Sequence, residues 1–289
     1  MDFMTLTVQA GVNGLVIGMM YMLMAVGFTL VFGIMRIVNF AHGEFYMIGS
    51  LVAFYTFAQW EVPFVLTLVL AAVCVGLIGM VVEWLVIRPL RSDELTGMIA
   101  TLGISVVLQN AVLMFFGASP RAIPDVVEGS LHVGPVVFTW SRLLVIAAAA
   151  VIVGGFWLFM QKHKLGRAMR AVAQDQEAAL IQGISVDRIF PLAFGISVAL
   201  AAVAGALMAP VFAVSPFVGT TPMLKAFIVV ILGGLGSIPG AILGGLLLGL
   251  IESYGATMLG SVVADILQLA LVIGILLIRP SGLLGHREA

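Results

Sequence analysis

The amino-acid sequence predicts an all-α polytopic membrane protein, a single transmembrane helical bundle over residues 1–289 with about eight or nine spans. Of its 289 residues, 62% are apolar and only 9% are charged. An ordinary soluble domain is about 45–50% apolar and about 25% charged, so this chain has too few polar side chains to cover itself in water. The composition predicts a lipid bilayer as the surrounding medium. It excludes a soluble enzyme, a nucleic-acid-binding protein and a disordered chain.

Apolar runs separated by short polar segments place the individual helices. Asp2 is the only early charge and no basic start of a signal peptide occurs, so the first span is expected to be retained. The very short turn at 60–63 predicts that the second and third spans are antiparallel neighbours. A proline-containing loop is expected over 117–140. The predicted spans are 9–32, 45–58, 63–87, 98–116, 143–160, 191–210, 223–232 with a glycine-rich continuation to 250, and 262–278.

A glycine-rich break over 233–240 interrupts the run that starts at Met223. Irregular backbone survives at bilayer depth only where protein or a water-filled cavity satisfies its polar groups. The break is therefore either a hairpin tip or a re-entrant loop, which gives a possible broken or re-entrant helix pair. Small residues four apart, such as Gly236 with Gly240 and Gly245 with Gly249, are typical of closely packed membrane helices.

The basic residues predict the orientation. Nine of the 13 Lys and Arg residues fall in alternate connections or at the carboxyl end, and basic residues favour the cytoplasmic side. The connections 88–97 and 161–190 and the carboxyl terminus are therefore expected inside, with the amino terminus and the 117–140 loop outside. If the first segment does not span fully, the count is eight and the amino terminus lies inside.

The inside segment 161–190 is the longest polar stretch of the chain. Ala, Met, Arg, Gln and Glu dominate between Arg167 and Gln182, which favours one short amphipathic helix that Gly183 ends. Its small apolar ridge fits a groove on a soluble partner. The residues alone leave a second interpretation open, a helix that rests on lipid headgroups with its basic residues as anchors. The ridge consists of Ala171, Ala178, Ala179 and Leu180.

Several sequence blocks resemble one known family. Glu177-Ala178-Ala179 followed by Gly183 resembles the short loop with which permeases of ATP-binding-cassette (ABC) importers contact their ATPase subunits. Further blocks, spread over nearly the whole chain, resemble the LivH-type permeases of the branched-chain amino acid importers. These blocks are 27–45, 88–91, 232–241 and 279–285.

This resemblance implies a set of partners and a location. The partners are a second homologous permease subunit, two cytoplasmic ATPase subunits and an extracytoplasmic binding protein that delivers Leu, Ile or Val. Related permeases carry urea or short amides, which stays an alternative substrate class. The location is the bacterial or archaeal cell (inner) membrane. The residues expected to couple transport to the ATPase are Arg167, Arg170, Asp175, Glu177, Ala178, Ala179 and Gly183.

The sequence contains no motif for covalent chemistry or ATP hydrolysis. It lacks the Gly-x-x-x-x-Gly-Lys-Ser/Thr, His-Glu-x-x-His and Gly-x-Ser-x-Gly patterns. We expect no catalytic or metal-binding residue and no cofactor on this chain, with ATP and Mg²⁺ bound by the partner ATPases. A rival interpretation is an ion-coupled secondary transporter in which His42, Glu44, Glu252 or Asp265 carries protons.

Polar residues inside the apolar spans are candidates for the translocation path or gate. A charge at a helix centre costs about 2.5–3.5 kcal/mol on insertion scales, so each one needs a partner or water. The helix start after Ser237 could direct its dipole at a substrate carboxylate. The path or gate candidates are Asn39, His42, Glu44, Gly236, Ser237, Gly240, Asp265 and Gln268.

Structural roles remain the alternative for these residues. Asn39 would cap a helix whose positive start lies near Glu44. Asp265 and Gln268, three residues apart on one helix face, would hydrogen-bond neighbouring helices. Glu83 is expected to pair with an arginine, Arg88 or Arg91, near the inner interface.

Overall fold

A computed structural model describes residues 3–91, 93–133 and 136–285 of the chain. In those residues, seven helices are long and apolar enough to cross a membrane, so the predicted polytopic helical bundle is confirmed. The helices are α1 (Phe3–Met35), α2 (His42–Ala53, continued by π-helical Phe54–Gln59), α3 (Phe64–Val82, continued by Glu83–Ile87 and Arg88–Leu90), α4 (Glu94–Phe116), α5 (Trp140–Lys162), α6 (Lys164–Gln174), α7 (Gln176–Ile181), α8 (Val186–Met208), α9 (Thr220–Gly233), α10 (Ile238–Leu259) and α11 (Ser261–Ile278).

Two further apolar helices bring the seven long ones close to the predicted number of eight or nine spans. The seven long helices are α1, α3 with its continuation, α4, α5, α8, α10 and α11. To these the structure adds α2 with its π-helical continuation and α9, which has only 14 residues. A 14-residue helix is about 21 Å long, shorter than the ~30 Å hydrocarbon core.

α1 and α8 form the centre of the bundle. Within their most apolar stretches, 78% of the residues are buried, against 28% or less for the other five long helices. The outer helices expose apolar side chains such as Val107, Phe115 and Val151. In a membrane protein these exposed apolar faces meet lipid.

Glycines let the central helices approach closely. A Cβ on Gly249 of α10 would lie 2.3 Å from Gly18 Cα of α1, and one on Gly49 of α2 would lie 2.0 Å from the Ala202 carbonyl oxygen of α8. No side chain fits at such distances, so the backbones touch. The prediction that Gly245 and Gly249 pack helices is confirmed.

The break between α9 and α10 is a hairpin tip. Gly233 and Gly240 face each other, since a Cβ on Gly240 would lie 2.0 Å from the Gly233 carbonyl oxygen. Backbone N–H groups of Leu283 and Leu284 donate to the carbonyl oxygens of Leu232 and Gly233 at 2.8 and 3.0 Å. The carboxyl-terminal residues thus satisfy the end of α9, as bilayer depth requires.

Several boundaries differ from the sequence prediction. The 117–140 loop contains an antiparallel hairpin of β1 (Ser130–Val133) and β2 (Val136–Thr139), so the chain is not all helix. Arg88–Leu90 continues the third span as helix rather than starting a connection. Pro191 lies inside α8, as its sixth residue, and does not open the helix.

Asp93 marks the start of α4. Its side chain accepts a hydrogen bond from the Thr96 backbone N–H at 3.2 Å. Hydrogen bonds from the Thr96 hydroxyl and backbone lower the pKa of the Asp93 carboxyl below its usual range. This N-cap ends the connection after the third span sharply.

Candidate translocation pathway and coupling surface

The segment 161–190, predicted to be cytoplasmic, forms two helices between α5 and α8 instead of the single predicted one. Asp175 adopts an extended backbone, with φ −156°, and separates α6 from α7. Its Oδ1 accepts a hydrogen bond from the Ala178 N–H at 3.0 Å, so it caps the second helix. The prediction of one helix from Arg167 to Gln182 is wrong, because an aspartate favours this cap over a helix interior.

The exposed face of α7 differs from the predicted ridge. Ala179 is only 3% exposed and packs into the bundle, whereas Leu180 and Ile181 are 55% and 84% exposed. Glu177 and Ala178 are also exposed, and Ala171 is half-buried. The outward surface of α7 is therefore Glu177, Ala178, Leu180 and Ile181, and Ala179 is its anchor.

The remaining predicted coupling residues have distinct positions. Arg167 is exposed on α6. Arg170 hydrogen-bonds the side chain of Gln161 and so ties α6 to the end of α5. Gly183 follows α7 with φ +80°, and the N–H groups of Gly183 and Ile184 donate back to the helix. This is a Schellman end, for which glycine is the favoured residue.

α7 is tied directly to the central helix α1. Gln176 Nε2 donates to the Ile34 carbonyl oxygen at 3.2 Å. Ile34 lies in the last turn of α1, whose carbonyls lack partners within the helix. Gly33 nearby approaches Gly236 at the hairpin tip, so α7 and the α9–α10 turn lie at the same end of the bundle.

A cavity of about 600 Å³ lies between α7 and the membrane helices at this end. Arg88 and Arg91 line it and both pair with Asp187 at the start of α8, the first at 3.2 Å. Glu83 is fully buried and neither of its carboxylate oxygens has a hydrogen-bond partner within the described residues. Its predicted pairing with an arginine is wrong, because Asp187 holds both guanidinium groups.

The segment before α2 turns back into the bundle. Ala41 precedes the helix, so Asn39 is not its N-cap. Asn39 Oδ1 instead accepts from the Ala41 N–H at 3.1 Å, forming a turn that starts the helix. Glu44 lies in the first helical turn and is 7% exposed.

His42 lies deep in the bundle. Its Nε2 is 3.1 Å from the Met24 carbonyl oxygen, three helical turns or about 16 Å before the end of α1. The ring is fully buried and packs edge-on against Phe28. Gly43 beside it touches Gly219, so the first turns of α2 and α9 meet inside the bundle.

Three buried polar atoms near this point have no hydrogen-bond partner among the described residues. They are His42 Nδ1, Asn39 Nδ2 and Thr29 Oγ1. Unsatisfied buried polar groups are costly and are rare in native proteins. The sequence reasoning missed Thr29, since a single threonine in an apolar span carries no signal.

Gly236, Ser237 and Gly240 all lie at the α9–α10 hairpin tip. Ser237 caps α10, because its hydroxyl oxygen accepts from the Gly240 N–H at 3.2 Å. Gly236 has φ +81°. The dipole hypothesis for this helix start stays a prediction.

Asp265 and Gln268 belong to a polar cluster that joins four helices. Lys225 Nζ contacts Asp265 Oδ1 at 2.6 Å, Gln268 Oε1 at 2.5 Å and Glu252 Oε2 at 3.1 Å. Tyr21 of α1 donates to Glu252 Oε2 at 2.9 Å. Opposite charges compensate each other within these apolar helices, where an unpaired charge would be costly.

Lys225 and Tyr21 were missed as members of this cluster. Lys225 is not among the nine basic residues that predict the orientation, and its side chain is only 11% exposed. The sequence did contain a signal for this pairing, since a lysine in an apolar run needs an acidic partner such as Glu252. Among the described residues no group of three or more His, Cys, Asp or Glu could hold a metal ion.

Comparison with known proteins places the chain in a family. The model of the family "branched-chain amino acid transport system / permease component" matches residues 11–276. The chain belongs to this permease family. It is therefore a transport subunit rather than an enzyme, and a multi-pass membrane protein.

Two relatives match this permease over nearly their whole length, and a sugar permease matches over part of it. The high-affinity branched-chain amino acid transport system permease protein BraD of Pseudomonas aeruginosa is 40% identical over 97% of this chain and 96% of its own. The corresponding protein LivH of Escherichia coli is 38% identical over 96% and 94%. The fructose import permease FrcC of Rhizobium meliloti is 29% identical over only 58% of this chain and 43% of its own. No solved structure matches the permease.

Proposed function

We propose that this permease carries branched-chain aliphatic amino acids into the cell as the membrane subunit of an ABC importer. The observation that carries the proposal is the near-complete alignment with BraD and LivH, whose names specify this substrate class. The named sugar permease aligns with about half of the chain. Full-length similarity covers the proposed pathway and the coupling segment together.

The proposed complex contains a second homologous permease, two cytoplasmic ATPases and an extracytoplasmic binding protein. The segment 161–190 would bind the ATPase through the exposed face of α7, namely Glu177, Ala178, Leu180 and Ile181. Exposed apolar side chains beside an acidic one are suited to a groove on a protein partner. Asp175 and Gly183 define the two ends of this short helix.

In this mechanism, ATP-driven closure of the ATPases moves α7, and the bundle follows. Gln176 links α7 to the end of α1, and Ser185 leads directly into α8. α1 and α8 are also joined by Ser197, whose hydroxyl donates to the Gly27 carbonyl oxygen at 2.7 Å. A displacement at α7 therefore reaches the two central helices, as alternating access requires.

The inner part of the path is proposed to pass beside His42, Asn39 and Glu44. The unpartnered polar atoms there are suited to water or to the polar ends of a solute. The positive end of the α2 helix dipole also lies at this point and favours a carboxylate. The hairpin tip at Ser237 and the cluster at Asp265 and Gln268 are proposed as fixed supports beside the moving helices.

Uptake by a reconstituted complex tests the proposed function. The permease, its paired permease, the ATPases and the loaded binding protein are placed in proteoliposomes, and radiolabelled leucine, urea and ribose are compared. Leucine should accumulate only when ATP is supplied on the side of the membrane where the ATPases lie. Urea and ribose should not accumulate above the level of vesicles without protein.

Two results would overturn the proposal. One is accumulation of urea or ribose in preference to leucine, which would change the substrate class. The other is accumulation of leucine by this chain alone, abolished by an uncoupler and indifferent to ATP. That second result would favour an ion-coupled transporter.

A further inference from the structure

A cavity of about 400 Å³ opens between α1, α5, α10 and the segment after α8. It lies near the start of α5, whose other end leads into the cytoplasmic helices. A 23-residue helix is about 34 Å long, so this cavity lies a bilayer thickness away from the coupling surface. Its size falls within the range of about 300–1,000 Å³ that is usual for small-molecule sites.

One wall of the cavity carries a positive charge. Arg142 lines it and donates to Asn13 Oδ1 at 2.6 Å. Within the described residues, the ion pairs of the chain do not include Arg142. Its guanidinium group therefore has donors left for an anion, and a carboxylate fits such a fork in two-point fashion.

The lining of the cavity also carries a negative charge. Glu252 lines the cavity and keeps 22% of its side chain exposed, although it already accepts hydrogen bonds from Lys225, Tyr21 and Gln268. With its groups ionised, the cluster of Lys225, Glu252 and Asp265 has one cation for two anions. Glu252 can thus accept a hydrogen bond from an ammonium group in the cavity.

Apolar side chains line the rest of the cavity. Val16 and Ile17 come from α1, and Val211 and Phe212 come from the segment after α8. Burial of an aliphatic side chain against such a surface is favourable by about 0.8 kcal/mol per CH₂ group. The cavity therefore offers a cationic point, an anionic point and an apolar wall.

We propose that this cavity is an outer binding site for a zwitterionic aliphatic α-amino acid. Arg142 binds the carboxylate, Glu252 binds the ammonium group, and the wall at Ile17 and Phe212 contacts the side chain. The inference rests on the proposed function, since it identifies the place where a solute released on the outer side first contacts this permease. Both charges are needed for an amino acid, whereas urea carries neither.

Cysteine protection tests the site on the purified chain, apart from transport. Ala256 lines the cavity and is exposed, so Ala256→Cys in a Cys74→Ala background should react with a small cationic methanethiosulfonate. L-Leucine should slow this labelling at least about fivefold at a concentration where isoamylamine, isovalerate and urea slow it less than about twofold. Isoamylamine lacks the carboxylate and isovalerate lacks the ammonium group.

Arg142→Gln should raise the leucine concentration for half-protection roughly tenfold or more, as the loss of a charge-assisted hydrogen bond predicts. Arg121→Gln is the matched control, because Arg121 hydrogen-bonds the Phe116 carbonyl oxygen and does not line the cavity. Ala118→Cys, in the same loop as Arg121, should be labelled equally fast with and without leucine. If Ala256→Cys does not fold, Thr257→Cys reports on the same wall.

Three outcomes overturn the site: leucine gives no protection, isoamylamine or isovalerate protects as well as leucine, or Arg142→Gln leaves half-protection unchanged. If the wild-type complex takes up leucine but any of these outcomes is observed, the site is rejected and the proposed function stands. Failure of that uptake, by contrast, rejects the function itself.

Discussion

Single residues decide how the cytoplasmic segment is divided and held. Asp175 caps α7 and ends α6, so two helices meet where composition alone favours one. Ala178 and Ala179 have identical side chains, yet the first faces outward and the second is buried. The register of α7, set by its cap, decides which alanine is available to a partner.

Gln176 should transmit motion from α7 to α1. Gln176→Ala removes the hydrogen bond to the Ile34 carbonyl oxygen, and leucine uptake per ATP hydrolysed should fall about two- to tenfold, as the loss of one hydrogen bond predicts. Gln176→Glu should be at least as impaired, because an oxygen then faces the carbonyl. Uptake and ATP hydrolysis are measured together in proteoliposomes.

Gln174→Ala serves as the control for this change. Gln174 is exposed, is the last residue of α6 and makes no side-chain hydrogen bond within the described part of the chain. Its variant should keep the wild-type ratio of uptake to hydrolysis. A wild-type ratio for Gln176→Glu would contradict the proposed link.

At the scale of elements, close helix contacts hold the centre together. α1 packs on α10, and α2 packs on α8, at glycines where the backbones touch. Close backbone approach gains dispersion contacts that lipid cannot replace. A Cβ placed on Gly154 or Gly155 of α5 would meet no atom of another helix within 4 Å. Among the described residues, these glycines therefore make no close helix contact.

Gly49→Ala should destabilise the permease by roughly 1–3 kcal/mol, since its Cβ would lie 2.0 Å from the Ala202 carbonyl oxygen and the helices must separate. Gly154→Ala should be neutral or stabilising by up to about 1 kcal/mol, because alanine favours helix and the site is open. Thermal unfolding in detergent, followed by tryptophan fluorescence, compares the two. Equal melting temperatures for both variants would show that the α2–α8 contact is not tight.

Spans were predictable from sequence because each apolar run contains at most one charged residue. The run from Leu143 to Met160 lies within α5, and Gly245 and Gly249 pack as their spacing predicts. The contact between Gly43 and Gly219 was not predictable, because the two residues are far apart in the chain. The pairing of Lys225 with Glu252 and the break at Asp175 likewise depend on tertiary contacts and on cap geometry.

At the scale of the whole molecule, the two proposed functional regions lie at opposite ends. The coupling surface on α7 and the proposed amino-acid site at Arg142 are separated by the length of α5. The central helices α1 and α8 join the two ends. Ser197 of α8 hydrogen-bonds the Gly27 carbonyl oxygen of α1, and Tyr21 of α1 hydrogen-bonds Glu252. This arrangement predicts that α7 meets the ATPase while the Arg142 cavity meets solute.

Cross-linking of α7 to the ATPase tests that arrangement. In a Cys74→Ala background, Ala178→Cys should form a disulfide with a cysteine placed in the ATPase groove, because its side chain is exposed. Ala179→Cys is the matched control and should cross-link poorly, since Ala179 is 3% exposed and packs inward. The two variants differ only in register, so a difference between them reports the contact face of α7 rather than general proximity. Equal cross-linking at both positions, or none at Ala178 in a complex that still transports leucine, would place the ATPase contact elsewhere.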